Sequence, residues 1–287
     1  MTSPRGLAPP RLTLRQRAVA HAGTAGLHAR AQLAYRADFV FRVLWLLLQV
    51  YLLALVWRAV YPESGTAPAH GGQQVTLATQ LAYVTYASVQ NWLLTPAGLA
   101  PTPIPQRVRE GSIAVDLSRP VAFTTQMLAA QGGIVLAAAP FAVLALPFAV
   151  VAGGARAPAS AGAASAYALS LVPAVLNALL LAVVVSMVSF WTLEAVGVFM
   201  IHRVVAHFFA GALIPLWFMP SWLADLAQLL PFQTTTYTPI ALYLGHIHGT
   251  GPVLTALAVQ CGWTAALWLI MRLVWARALH RVVVQGG

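Results

Sequence analysis

The side chains that come nearest to doing chemistry in this sequence are two histidine pairs and one carboxylate: His202 with His207, His246 with His248, and Glu194. A zinc-type site needs three or four such ligands converging on one point. His202 and His207 are five residues apart, a spacing that serves one helical face poorly, and His246 and His248 stand by themselves in a loop. Neither pair is expected to bind metal; hydrogen bonding near an interface is the expected use. No HExxH pair, GxSxG elbow or close carboxylate pair occurs, so no catalytic residue is assigned. All 16 basic residues are Arg and none is Lys, which removes the Walker A lysine and any Schiff-base mechanism. If the protein uses ATP and Mg, another chain must bind them, and this chain carries no cofactor. The single Cys261 excludes an intrachain disulfide and a cysteine metal cage.

Glu194 is the one acid inside an apolar run. A charge at the bilayer centre costs roughly 2.5–3.5 kcal/mol on insertion scales, less toward the interface. With Arg203 as partner, Glu194 is expected to form a structural ion pair that steadies a turn; a proton relay is the alternative. Thr79, Tyr83, Tyr86 and Gln90 recur at i, i+4, i+7 and i+11, one face of a helix. Such a face can line a substrate path or bond packed helices together. Phe208 and Phe209 are candidates of the same kind.

The elements that hold these residues are membrane helices. Of 287 residues, 60% are hydrophobic and 8% charged, and mean hydropathy is +0.77. A soluble domain carries about 25% charged residues. Stretches of ~20 apolar residues that can span a bilayer fall at 39–61, 75–94, 121–151, 166–191, 198–219 and 253–275. The fourth and fifth come from one long apolar run broken around Glu194, Gly197, His202 and Arg203. The fold expected is all-α and polytopic, with six spans in residues 39–287. Fourteen of the 16 Arg residues fall in regions that alternate onto one face, the exceptions being Arg58 and Arg156. Both termini are therefore expected in the cytoplasm. The net charge of +10 marks that face and is not a nucleic-acid footprint. Residues 1–38 hold too long a basic stretch for a signal peptide. Residues 1–10 read as a basic tail, and 14–35 as an amphipathic helix in the headgroup layer, in contact with lipid.

Two connections are more than linkers. The loop 101–120 sets Arg107, Arg109, Glu110, Asp116 and Arg119 among Val108, Ile113, Val115 and Leu117. Mixed charge around spaced apolar residues suits a short helix docking on a soluble partner, or a solvated loop whose charges fix topology. After the fifth span, Pro215, Pro220, Pro231 and Pro239 cut a strongly apolar segment into pieces too short to cross. Short outer helices over 220–246, re-entrant or interfacial, are expected, with Trp217, Trp222 and Tyr237 as anchors.

Several stretches together give a resemblance: AYRADFVFR before the first span, REGSIAVDLSRPV after the second, and FWTLEAVG ending the fourth. Further on come GALIPLWFMPSWL, LLPFQTTTYTPIALYLG and the C-terminal RALHRVVVQGG. In this order they resemble the permease subunits of bacterial type-2 ABC transporters, in the six-span exporter branch. The resemblance implies that the loop holding Arg107, Val108, Arg109, Glu110, Ile113, Asp116 and Arg119 couples to a cytoplasmic ATPase subunit, present in two copies. It implies a second permease subunit, the same or different, with spans two and five lining the path between them. The cargo implied is a hydrophobic or amphiphilic compound, and the location a bacterial inner membrane. It makes the N-terminal helix the family's connecting helix. The branch often has Ser before the Gly of GALIP and an acid where Trp217 stands; Ala210 and Trp217 occupy those places, so no ligand role is carried to that corner. A stand-alone secondary transporter or channel is the alternative, against which stand the nearly charge-free spans and the lack of an inverted repeat.

Overall fold

An apolar chain in lipid must satisfy its backbone hydrogen bonds internally, and helices do this within one segment. The computed structural model, which describes residues 13–34, 36–69, 74–94, 101–192 and 194–285, is accordingly built of helices, with one small hairpin. In chain order they are α1 (Leu14–Ala34), α2 (Arg36–Val60), α3 (Leu77–Leu94), α4 (Ile104–Arg109), α5 (Ile113–Leu117) and α6 (Phe123–Leu144). There follow α7 (Leu146–Phe148), α8 (Ala161–Ser186), α9 (Val196–Phe209), α10 (Ser221–Gln228), α11 (Tyr237–Tyr243) and α12 (Thr250–Gln285). The strands β1 (Thr66–Pro68) and β2 (Gln74–Thr76) pair antiparallel, Thr66 opposite Thr76.

Among the described residues four helical segments are long and apolar enough to cross a membrane: Val40–Val60, Phe123–Leu144, Ala161–Phe190 and Thr250–Arg281. The other two expected spans differ from that pattern for physical reasons. α3 has 18 residues, about 27 Å of helix. It is too polar to count because it is surrounded by protein: Gln80, Tyr83, Thr85, Ser88 and Gln90 are all buried. α9 ends at Phe209 after 14 residues, about 21 Å, well short of the expected 219. Gly211, at φ 73°, turns the chain there, a conformation in which a side chain would be strained. The third expected span also shortens, since α6 stops at Leu144 and gives way to α7 and a π turn.

The bundle has two packed ends. At the end carrying α4 and α5, Ile104 and Ile113 are buried with Phe123, Met127, Leu180, Met187 and Met271. Trp275 of α12 stacks on Phe123 at 4.6 Å and meets Phe190 edge-on at 5.7 Å. At the opposite end the Tyr61 hydroxyl donates to the Val75 carbonyl at 2.5 Å, tying α2 to β2. There Tyr83, Trp217 and Tyr237 form one aromatic group, with His246 4.5 Å from the Trp217 ring.

The stretch 220–246, where short outer helices are expected, folds as α10 and α11, packed against the bundle. α10 packs back on Phe208 and Phe209 of α9, and α11 rises again, where the Ala159 amide donates to Tyr243. The turn between α10 and α11, Pro231–Thr234, forms a re-entrant tip held by a polar network. The Asn177 amide donates to Thr234 Oγ1 at 2.9 Å, and Gln260 Nε2 donates to the Thr234 carbonyl at 2.8 Å. Ser170 and Thr264 complete it, donating to Gln260 Oε1 and Asn177 Oδ1. Asn177 and Gln260 are fully buried, so each supplies the other elements' unmet hydrogen bonds in an apolar interior.

The N-terminal helix lies along α6. Ala20, His21, Thr24, Ala25, His28 and Ala29 form its half-buried face, while Leu14, Val19 and Leu27 are exposed. Contact is close enough that a Cβ at Gly133 would overlap the Ala25 backbone.

Candidate functional site

The loop 101–120 folds into two short helices joined by a glycine turn. Gly111, at φ 67°, makes the turn between α4 and α5, and the two together form a compact knob. Its inner side is anchored by Ile104, Ile113 and Val108. Asp116 is buried; its carboxylate accepts from Arg107, with Arg119 3.8 Å away. Gln126 Nε2 donates to the carbonyls of Val121 at 2.7 Å and Asp116 at 3.3 Å, fixing the knob on α6. Gln131 does the same for Pro101 at 2.8 Å. The residues expected to meet a partner therefore divide. Val108, Ile113 and Asp116 turn inward, whereas Arg109, Glu110 and Arg119 are exposed. The outward apolar residues are Val115 and Leu117, 61% and 37% exposed. Gly111 resets the helical phase between α4 and α5, which hid this division in the sequence.

A cleft of about 710 Å³ separates the knob from α1, bordered by His28, Arg107, Glu110, Val115 and Arg119. His28 is held below the ordinary imidazole pKa, first by burial and second by the Arg107 charge.

On α3, the four expected path residues bond to other elements. Thr79 exchanges hydrogen bonds with Thr76 and starts the helix. The Tyr83 hydroxyl, fully buried, donates to the Gly211 carbonyl at 2.8 Å. Tyr86 donates to the Arg156 carbonyl at 2.6 Å, which Tyr243 also meets at 3.0 Å. Gln90 Nε2 donates to the Thr235 carbonyl at 2.6 Å, reaching the re-entrant tip. Phe208 and Phe209 pack edge-to-face at 5.3 Å against the cluster formed with α10. Tyr83, Tyr86 and Gln90 thus tie α3 to the segments around Gly211, Arg156 and Thr235.

No ion pair joins Glu194 to Arg203. Glu194 is exposed in the break before α9, and Arg203 lies on the helix beyond, so the expected pair is not formed. Arg203 instead borders a cavity of about 120 Å³ between α3, α8, α9 and the re-entrant tip. His202 and His207 border it too, with Asn91 and Leu94 from α3 and Leu181 from α8. Five residues put two side chains about 140° apart on a helix. The cavity is wide enough to meet both edges of α9, which the spacing argument did not allow for. Among the described residues no group of three or more His, Cys, Asp or Glu is gathered as a metal ion would require.

The family model described as ABC-2 family transporter protein matches residues 73–286, about three quarters of the chain. No curated protein and no solved structure matches.

Proposed function

Because the chain belongs to the ABC-2 family of transporter proteins, we propose that it is the permease subunit of an ATP-driven exporter. In this reading six segments cross a bacterial inner membrane with both termini in the cytoplasm. The four long helices cross alone, while α3 crosses inside the bundle and α9 crosses together with the turn at Gly211. A second permease subunit, identical or different, completes the path for a hydrophobic or amphiphilic compound.

The observation that carries the reading is the knob at 101–120. It is anchored on one side by Ile104 and Ile113, braced by Arg107–Asp116, and presents Arg109, Glu110, Val115 and Leu117 outward. A pair of apolar side chains rimmed by charge is what a docking site for a folded soluble partner needs. A rigid knob also transmits force, since its core contacts reach α6, α8 and α12. The partner that binds here is a cytoplasmic ATPase in two copies, and ATP and Mg belong to it.

Mild purification of the tagged chain from its own membrane tests this. A nucleotide-binding ATPase should accompany it stoichiometrically, and Val115→Glu should release that ATPase while leaving the chain folded. A chain that purifies alone and moves solute without ATP would be a secondary transporter or channel instead.

A further inference from the structure

The cavity beside α9 has apolar walls, Leu94, Leu181 and Phe199 among them, and a polar edge where the Arg203 cation stands with the imidazoles of His202 and His207. Among the described residues no acidic side chain lines it and no carboxylate pairs with Arg203. The Nε2 atom of His202 is enclosed and has no hydrogen-bond partner. An enclosed polar atom without a partner costs free energy, and a guanidinium beside hydrocarbon gains most from an anion. The room of about 120 Å³ admits a carboxylate or phosphate group, not a lipid-sized molecule, for which pockets run to roughly 300 Å³ and more. Next to Arg203 on the same helix, Ile201 and Val204 are 67% and 69% exposed and offer hydrocarbon surface outside the cavity.

We propose that this cavity is an anion subsite for an amphiphile: the carboxylate or phosphate meets Arg203 and His202, and the hydrocarbon chain lies outside along α9. This names the charge of the cargo and rests on the permease reading for its purpose, though not for binding itself. The same chemistry is offered by an exported amphiphilic acid and by an anionic membrane lipid.

The test uses the full chain, purified with whatever accompanies it, in phosphatidylcholine discs. Labelled hexadecanoic acid should bind saturably, and its methyl ester roughly tenfold or more weaker, the worth of a charge-assisted hydrogen bond. Arg203→Gln should weaken the acid to a similar extent, and Arg203→Lys should retain most of the binding. If Arg203→Gln fails to fold, Ala206→Phe, which fills the cavity and leaves Arg203 in place, should abolish binding. Equal binding of acid and ester, or binding untouched by these variants, overturns the proposal. Displacement by phosphatidylglycerol in the discs identifies the source as resident lipid; resistance to it identifies cargo, and both outcomes uphold the subsite. Acid-selective binding by a chain that brings no ATPase would sink the permease reading alone. An accompanying ATPase with no acid selectivity would sink the subsite alone.

Discussion

At the scale of single residues, Asp116 shows how burial ranks otherwise similar charges. Its side chain is 4% exposed, that of Arg107 22% and that of Arg119 53%. Rupture of a fully buried ion pair costs ~3–5 kcal/mol because the surviving charge is left without a partner. Arg107 keeps some access to water, so Asp116→Ala should cost less, about 2 kcal/mol. Arg119→Ala should cost under about 0.5 kcal/mol, as exposed pairs do. Thermal unfolding in detergent reads both; equal losses would mean that the Arg107–Asp116 contact does not brace the knob. The sequence named all three residues as one set, since spacing reports neighbours along the chain and not depth. The same limit applies to Glu194 and Arg203, which are close enough in sequence to suggest a pair that the fold does not make.

At the scale of elements, the places of the apolar runs were legible, α3 within 75–94 among them, and the end of the short α9 was not. α2, α6, α8 and α12 follow from hydropathy because lipid is their solvent. The end of α9 could not be read that way: GALIPLWF stays apolar past the point where Gly211 breaks the helix. The re-entrant pieces were foreseen from four prolines, but their depth depends on Asn177 and Gln260, two amides distant in sequence. The N-terminal helix makes its own prediction. Gly133 and Gly132 are adjacent on α6, yet a Cβ collides with Ala25 at the first and meets open space at the second. Gly133→Ala should therefore lift α1 from α6 and speed hydrogen exchange over residues 14–34 several-fold, while Gly132→Ala leaves exchange unchanged. Equal protection in both variants would refute the close packing.

At the scale of the whole molecule, the chain is an ABC-2 transporter protein whose two ends are built differently. One end is a knob held by aliphatic and aromatic packing around Ile104, Phe123 and Trp275. The other is held by hydroxyls donating to carbonyls, as Tyr61, Tyr83, Tyr86 and Tyr243 do. α12 links the first end to the interior, meeting the knob's core at Met271 and Ala278 and the re-entrant tip at Gln260. Replacing Gln260 by Leu removes the donor to Thr234 and leaves the buried Thr234 carbonyl and Ser170 hydroxyl unmet, at ~1–3 kcal/mol. In a reconstituted complex with its ATPase, Gln260→Leu should lower transport more than ATP hydrolysis; equal losses would show that the network serves stability alone.

The polarity of α3 also bears on how the protein is made. A segment carrying Gln80, Gln90 and Asn91 is a poor candidate for release from a translocon into lipid by its own hydropathy. Three of its buried groups find partners in elements synthesised later: Gly153 for Thr85, Gly211 for Tyr83 and Thr235 for Gln90 Nε2. Biogenesis must therefore shelter residues 77–94 until more than half of the chain has emerged. Grafted alone into a host protein with glycosylation reporters, this segment should integrate less efficiently than residues 40–60, and integrate better as downstream chain is added.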